Sequence, residues 1–275
     1  MAIGRTNASV GGGGSQMKEL IDGRKNSSYL FYGFSGTSVN NFISYNDTEN
    51  SKSMTNMFGD CKNLTSIPLL NTSNSTDMGN MFYQCFKLTT IPQLDTSKTT
   101  NMGGMFSYCK SLTTIPQLNT PNVVYVYNMF QNCENLISIP LLNTSNVSNM
   151  TNMFNSCYKL KNIPLLNTSK VKNMYGTFFQ CFDLTTIPAL DVSNVTDFNN
   201  AFYACSNLES IEMTGMKVRF DISSSTKLTR EALVVILNNL ATVSTSQTLT
   251  MGATNLAKLT EEDKAIATNK GWTLA

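Results

Sequence analysis

Residues 150–171 read MTNMFNSCYKLKNIPLLNTSKV, and close copies of this string recur through most of the chain. The copies share the pattern M-x-x-M-F-x-x-C-x-x-L-x-x-I-P-x-L-[ND]-T-S-x-V. The cysteines follow one another at every twenty-fourth position without exception: Cys61, Cys85, Cys109, Cys133, Cys157, Cys181 and Cys205. A fixed period of about 20 to 50 residues is typical of solenoids, propellers and repeat arrays.

The pattern within one repeat favours a solenoid. Apolar residues in 147–157 are spaced as one face of a short helix, and Thr144 and Ser145 are suitable N-caps. The proline in L-x-x-I-P-x-L disfavours helix for the residue before it, so this segment is predicted to be a short strand. A four-stranded propeller blade would need about 40 residues. We therefore expect α/β coils that follow the cysteine period, each a short helix plus a short parallel strand, stacked on a shared apolar core.

The period also predicts how the chain is divided. Counting back one period from the first complete repeat indicates a degenerate coil before it. In this coil Phe34 is predicted at the position equivalent to Phe58, and Thr37 at the cysteine position. The predicted segments are a flexible Gly-rich arm and short helix (1–22), a degenerate N-terminal capping repeat (23–53), the repeats (54–217) and a mixed α/β C-terminal cap (218–275).

The C-terminal segment has its own helix and strand signals. Residues 229–241 predict an amphipathic helix with Thr229 as N-cap, and 248–251 predict a strand. A second helix is predicted from Thr260 to about Lys270. Gly271 is its expected C-cap, and the final strand contains Trp272, which we expect in the core.

Composition excludes several classes of function. The chain of 275 residues has no histidine, which removes Ser-His-Asp and Cys-His catalysis and the usual zinc sites. Its net charge is only +2, so no nucleic-acid partner is expected. Charged residues make up 14%, and Asn, Ser and Thr take their place. We expect no enzyme activity and no cofactor. Neither a membrane-spanning run nor a signal peptide is expected.

Three features have competing interpretations. The cysteines fit a reduced core ladder better than disulfides or a metal site, because they lie beside Met and Phe and no CxxC pair exists. The Asn-Thr-Ser strings at 71, 143 and 167 fit turns better than glycosylation sites. Asp95 and Asp191 take the same position as those asparagines, so a catalytic carboxylate pair is not favoured.

Variable positions beside the repeated pattern carry the candidate binding residues. Exposed aromatic side chains could bind sugar rings or a protein, or could instead cover the edge of the core. The Cys133 repeat is irregular, since Pro121, Tyr125 and Tyr127 depart from the pattern. The candidate binding surface comprises Tyr83, Phe86, Tyr108, Tyr125, Tyr127, Tyr158, Phe179, Phe182 and Tyr203.

The repeat, best reproduced by residues 150–171, resembles the leucine-rich repeats of BspA-like surface proteins. The resemblance covers about 54–214 and, more weakly, 24–53. It implies a leucine-rich-repeat solenoid that mediates attachment or protein–protein contact, without catalytic residues. The C-terminal KLTEEDKAIATNKGWTLA and the opening MAIGRTN are similar to segments of bacteriophage tail-associated and structural proteins.

Together these features predict a non-enzymatic bacteriophage virion protein, attached to the tail or surface, that binds a host receptor or another protein. The arm is expected to contact other virion proteins, and a host glycan or protein and a second copy of the chain are further candidate partners. The alternative is a bacterial cell-surface or secreted adhesin. The expected location is correspondingly the virion, or the bacterial surface and exterior.

Overall fold

The computed structural model of the protein describes residues 26–275. The predicted arm, 1–22, and the first residues of the predicted capping repeat therefore lie outside the described residues. Within the described part, no helix is both long enough and apolar enough to cross a bilayer.

Successive repeats stack in parallel; we name each repeat by its cysteine. The N–H of Met150, in the Cys157 repeat, donates to the carbonyl oxygen of Asn173, 2.9 Å away in the next repeat. Single parallel pairings join equivalent positions along the stack: Ser53–Asp77, Asp77–Asn101, Asn101–Tyr125, Asn149–Asn173 and Asn173–Asp197. Each pairing joins residues one sequence period apart.

The segment 150–157 is a run of turns, so the predicted short helix is wrong. The N–H groups of Met153 and Cys157 each donate to the carbonyl three residues earlier, at 3.1 Å. The N–H of Phe154 instead donates to Thr177 in the next repeat, at 2.9 Å. An α-helix would use its N–H groups in i to i−4 bonds, which would leave none to join the repeats.

The predicted helix caps have a different role. Thr144 Oγ1 donates to the carbonyl oxygen of Asn167 in the next repeat, at 2.8 Å. The N–H of Ser145 donates to Asn143 Oδ1 at 3.0 Å. Both residues therefore belong to a turn that links two repeats, and no helix follows them.

Two residues in each repeat take a left-handed conformation, which prevents a continuous helix. In the Cys157 repeat these are Asn152, with φ 52°, and Ser156, with φ 60°. Gly and Asn occupy this conformation at least cost. The position of Asn152 is Asn or Gly in every cysteine-containing repeat: Asn56, Asn80, Gly104, Asn128, Asn152, Gly176 and Asn200.

The predicted strand segments pair as a sheet only near the end of the stack. Strand β1 (Thr186–Ile187) pairs in parallel with β2 (Ser210–Ile211), with Ile187 opposite Ile211. Earlier repeats keep isolated bonds, such as Lys161 N–H to the carbonyl of Ile137 at 3.1 Å. The proline that follows most of these isoleucines has no N–H to donate, and it therefore interrupts the pairing.

The core is a set of parallel ladders running through the stack. Neighbouring phenylalanine rings lie 5.5–5.8 Å apart in near-parallel stacks: Phe31, Phe58, Phe82, Phe106, Phe130, Phe154, Phe178 and Phe202. The cysteines and the leucine and isoleucine rows are buried beside them. A single coil has too little interior to bury these side chains, so each repeat depends on its neighbours.

The first described coil has a different register from the one predicted. Phe31 stacks on Phe58 at 5.5 Å, so Phe31 holds the ladder position predicted for Phe34. Phe34, three positions later, takes the cysteine position predicted for Thr37 and is only partly buried. The regular spacing returns at Thr48, at the end of a 3-10 helix (Tyr45–Thr48), where Thr48 Oγ1 donates to the carbonyl oxygen of Asn71.

The C-terminal segment shares the core of the stack but differs from the repeats in having α-helices and a three-stranded sheet. Three parallel strands pair in the order β3-β4-β5. The elements follow the chain as β3 (Phe220–Asp221), α1 (Arg230–Asn239), β4 (Gln247–Thr250), α2 (Gly252–Leu256), α3 (Glu261–Thr268) and β5 (Trp272–Leu274). The sequence predicts α1, β4, α3 and β5 with slightly shifted ends, and it misses β3 and the short helix α2.

Side chains at the helix ends hold this segment together. Thr229, the predicted N-cap of α1, and Thr260, where the second helix was predicted to begin and which caps α3, each accept an N–H bond. Lys270 donates to the carbonyl oxygens of Leu237 and Leu240 at the end of α1, at 3.1 and 3.0 Å. Trp272 is buried as predicted, and its indole N–H donates to a backbone carbonyl.

Candidate binding surface

Aromatic side chains flank the buried cysteines at the corner between the turn segment and the extended segment. We call this surface the aromatic corner; its members are Tyr83, Phe86, Tyr108, Tyr158, Phe179, Phe182 and Tyr203. Because each follows or precedes a buried ladder residue by one position, the parallel stack places equivalent residues one above another. The turn geometry directs them outward while the phenylalanine and cysteine beside them point inward.

Most of these rings pack in pairs across neighbouring repeats. Phe179 stacks on Tyr203 with centroids 4.9 Å apart and planes at 15°. Tyr158 stacks on Phe182 at 5.1 Å and 25°. Tyr203 is 55% exposed and Phe182 36%, while the others are half-buried. The pairs therefore cover the edge of the core and also present flat aromatic surface to solvent.

Phe86 lies between two cations. The Nζ atoms of Lys62 and Lys110 lie 6.0 and 5.9 Å from its ring centroid. Lys110 also forms an ion pair with Glu134 at 2.7 Å, and this carboxylate raises the pKa of the lysine. This end of the aromatic corner is already occupied by lysine side chains.

Tyr125 and Tyr127 lie on a different part of the repeat, at the start of the turn segment. Their rings meet edge to face with centroids 6.4 Å apart. They are 51% and 39% exposed. The predicted residues therefore divide into two surfaces, the aromatic corner and a separate tyrosine pair.

A third apolar feature was not predicted. The residue after the repeat's proline is an exposed leucine in three repeats, beginning with Leu69 in the Cys61 repeat, which is 51% exposed. In the Cys133 and Cys157 repeats the equivalent residues are Leu141 and Leu165, which are 57% and 59% exposed. They line an open groove of about 540 Å³ with residues from 117–120 and 142–144. The equivalent residue is glutamine at Gln117, so comparing this position across the repeats would have revealed the change.

The cysteines carry no reactive site. All seven are free and buried. Desolvation by burial raises the pKa of the Cys205 thiol to about 12, and it raises the pKa values of Cys109 and Cys157 well above the usual range. A protonated, buried thiol is neither a nucleophile nor a metal ligand. Within residues 26–275 no cluster of Cys, Asp and Glu could hold a metal ion.

The carboxylates in the asparagine positions act as turn residues. Asp95 accepts the N–H of Ser97 at 2.9 Å, and Asp191 accepts the N–H of Ser193 at 3.0 Å. These serine hydrogen bonds lower the pKa of each carboxyl. Asn71 accepts the N–H of Ser73 in the same way. The position therefore needs an acceptor oxygen, which either Asn or Asp supplies.

These parallel stacked coils define a repeat protein. A family model described as "Mycoplasma protein of unknown function, DUF285" matches residues 25–114, 52–163 and 128–229. The overlapping matches extend from 25 to 229, well over half of the chain. The chain therefore belongs to this family.

Solved structures similar to the chain include two leucine-rich-repeat proteins. One, from T. pallidum, has 15% identity and a TM-score of 0.37, with 72% of this chain and 77% of that chain covered. The other, from Bacteroides ovatus, has 14% identity and a TM-score of 0.40, with coverage of 90% and 80%. A search of curated proteins finds no match. None of the comparisons bears on the predicted virion setting.

Proposed function

We propose that the protein is a non-enzymatic binding protein that uses its repeats to present aromatic side chains to a partner. The observation that carries this proposal is the partly exposed stacked pair Phe179–Tyr203, flanked by Tyr158–Phe182. Exposed aromatic rings held in fixed positions lose little conformational entropy on binding and supply large contact area. The parallel ladders beneath them provide that rigidity.

The setting that we propose is a bacteriophage virion, with the chain attached to the tail or surface and contacting a host receptor or another protein. Its support is the resemblance of both chain ends to phage proteins. The alternative is a bacterial cell-surface or secreted adhesin, which is supported by the resemblance of the repeat to BspA-like surface proteins. Antibody detection in purified phage particles and in fractionated cells separates the two settings.

Binding itself is tested with variants that copy other repeats. Tyr203→Gln introduces the residue found at the equivalent position 131, and Phe182→Glu introduces that found at 134. The variants should fold normally and should bind intact host cells at least tenfold more weakly in flow cytometry. Leu165→Gln, copied from Gln117, is the matched control on another surface. Unchanged cell binding by a variant that carries both Tyr203→Gln and Phe182→Glu would contradict a binding role of the aromatic corner.

A further inference from the structure

A comparison of equivalent positions in the repeats shows that Tyr125 departs from the pattern. At its position the other repeats carry short polar side chains: Ser53, Asp77, Asn101, Asn149, Asn173 and Asp197. Each Asp or Asn in this set accepts the backbone N–H two residues later, as Asn149 does from Thr151 at 2.8 Å. Such a bond stabilises the start of the turn segment.

Tyr125 removes this bond, and the stack is locally weaker around it. The N–H of Tyr127 has no hydrogen-bond partner among the described residues. The parallel pairings continue on both sides but skip Tyr125–Asn149. Within the same described part, the N–H of Val126 makes no bond to Asn149, although its equivalents Met102 and Met150 each bond to the next repeat at 2.9 Å.

Tyr125 gains no burial in return for the lost turn bond. Tyr125 stays half exposed, and its ring lies at 71° to that of Tyr127. Tyr127 lies across Gly103 of the preceding repeat, where a Cβ would come within 2.7 Å of the ring. Glycine at position 103 therefore leaves room for the ring of Tyr127. A local rule that is broken without a gain in packing is expected at a functional site.

In its own repeat and in the following repeat, the pair is surrounded by an uncharged segment rich in amides. Residues 121–128 and 145–152 contain no charged side chain. The equivalent segment 97–104 contains Lys98, whose Nζ is held by Asn74 Oδ1 at 2.7 Å. A charged partner would find no complementary group in these two segments, whereas a neutral ligand with many hydroxyl groups needs none.

We propose that Tyr125 and Tyr127 form a binding site for a neutral glycan, with one ring placed against the C–H face of a pyranose unit. The polarised C–H groups of that face pack on the aromatic π surface. The side-chain amide of Asn149 accepts the N–H of Thr151 through Oδ1, and its NH2 group can donate to a sugar hydroxyl. The inference rests on the proposed binding function and names its ligand class and position.

The test uses Tyr125→Asn, which restores the residue of the neighbouring repeats. Because the missing turn bond is restored, the variant should be at least as stable as the wild type by thermal unfolding. Its binding to immobilised neutral oligosaccharides of glucose, galactose, mannose and N-acetylglucosamine should fall at least tenfold. Tyr127→Thr, copied from Thr151, should have the same effect on binding. Leu165→Gln, copied from Gln117 on another surface, should leave glycan binding unchanged.

The outcomes separate this inference from the proposed function. Neutral-glycan binding that Tyr125→Asn removes supports the site. No binding of neutral oligosaccharides by the wild type, equal binding by Tyr125→Asn, or binding only to acidic oligosaccharides overturns it. The proposed function is contradicted by a separate result: substitutions in the aromatic corner and in the tyrosine pair that all leave attachment to cells unchanged.

Discussion

The thiol of Cys157 donates a hydrogen bond to the carbonyl oxygen of Phe130, 3.1 Å away in the preceding repeat. The same bond occurs at every cysteine, with Sγ to carbonyl distances of 2.9–3.2 Å. Cysteine is small and apolar, and its thiol still gives the buried carbonyl oxygen a second donor, beside the N–H of Cys133 that bonds to Phe130 at 3.0 Å. This explains its recurrence along the stack without any redox or metal role.

The buried thiols should be unreactive in the folded protein. We expect no cysteine to react with Ellman's reagent under native conditions and all seven to react in strong denaturant, because reaction needs an exposed thiolate. Absorbance of the released thiolate gives the count. Rapid native labelling of one or more cysteines would contradict the ladder.

Alkaline pH should destabilise the protein through the same thiols. Burial raises the folded pKa of Cys205 to about 12 from an ordinary value of 9.0. Above the ordinary value the unfolded thiol loses its proton while the folded one keeps it, so stability falls as pH rises. The expected loss is up to about 1.4 kcal/mol per pH unit for each such thiol.

Urea unfolding at a series of alkaline pH values measures this loss. In the Cys205→Val variant, the slope of the unfolding free energy against pH should be smaller by the amount that corresponds to one proton. Equal slopes in the variant and the wild type would show that Cys205 does not contribute to the effect.

The first left-handed position of each cysteine-containing repeat should favour Asn or Gly. Gly176→Ala places a Cβ in overlap with Asn152 Oδ1 at φ 57°, so we expect a loss of about 1–2 kcal/mol. Asn152→Gly should change stability much less, since Gly adopts the conformation freely. Chemical denaturation of both variants gives the comparison, and equal stability of Gly176→Ala and wild type would contradict the argument.

Truncating the phenylalanine stack should be costly anywhere along its length. Phe130→Ala removes a fully buried ring that lies 5.6 and 5.7 Å from its two neighbours, and we expect a loss of about 3–5 kcal/mol. Phe182→Ala, at a partly exposed position, should cost less than about 1 kcal/mol. Urea midpoints measure both, and similar losses would show that burial does not decide the difference.

Acid should loosen the C-terminal segment through Asp263. Its pKa is lowered first by the N–H of Thr260 and then by Arg230, whose two bonds to the carboxylate are 2.7 Å. A lowered folded pKa stabilises the protein above the ordinary value of 3.8, and this contribution is lost as pH falls through the folded pKa. Asp263→Asn should therefore be less stable than wild type at neutral pH and should approach it at low pH.

The matched control is Glu261→Gln, since Glu261 is an exposed member of the same helix paired with Lys264. Its stability, measured by urea unfolding beside Asp263→Asn, should differ little from wild type at any pH. A constant difference between Asp263→Asn and wild type into strong acid would show that the carboxylate's charge is not the cause.

Periodicity alone revealed the repeat, the inward rows and the two capped helices, because each leaves a regular apolar pattern or a local cap signal. The helical spacing in 147–157 was misleading, since consecutive turns that alternate with left-handed residues also bring every third or fourth side chain inward. The sequence pattern did not show that Phe31, and not Phe34, joins the phenylalanine ladder. The first coil contains three extra residues and keeps its apolar composition, so counting back one period leads to the wrong phenylalanine. The candidate aromatic residues could be picked from the variable positions, but their pairing depends on the neighbouring repeats.

The amino-acid sequence by itself determined the repeat period, the buried rows and the residue types that each turn tolerates, because these follow from local conformation and apolar pattern. Only the tertiary structure decided which N–H groups join neighbouring repeats, which aromatic rings meet, and that Tyr125 interrupts the pairing. Those relationships connect residues about one full repeat apart, and their geometry exists only once one coil lies against the next.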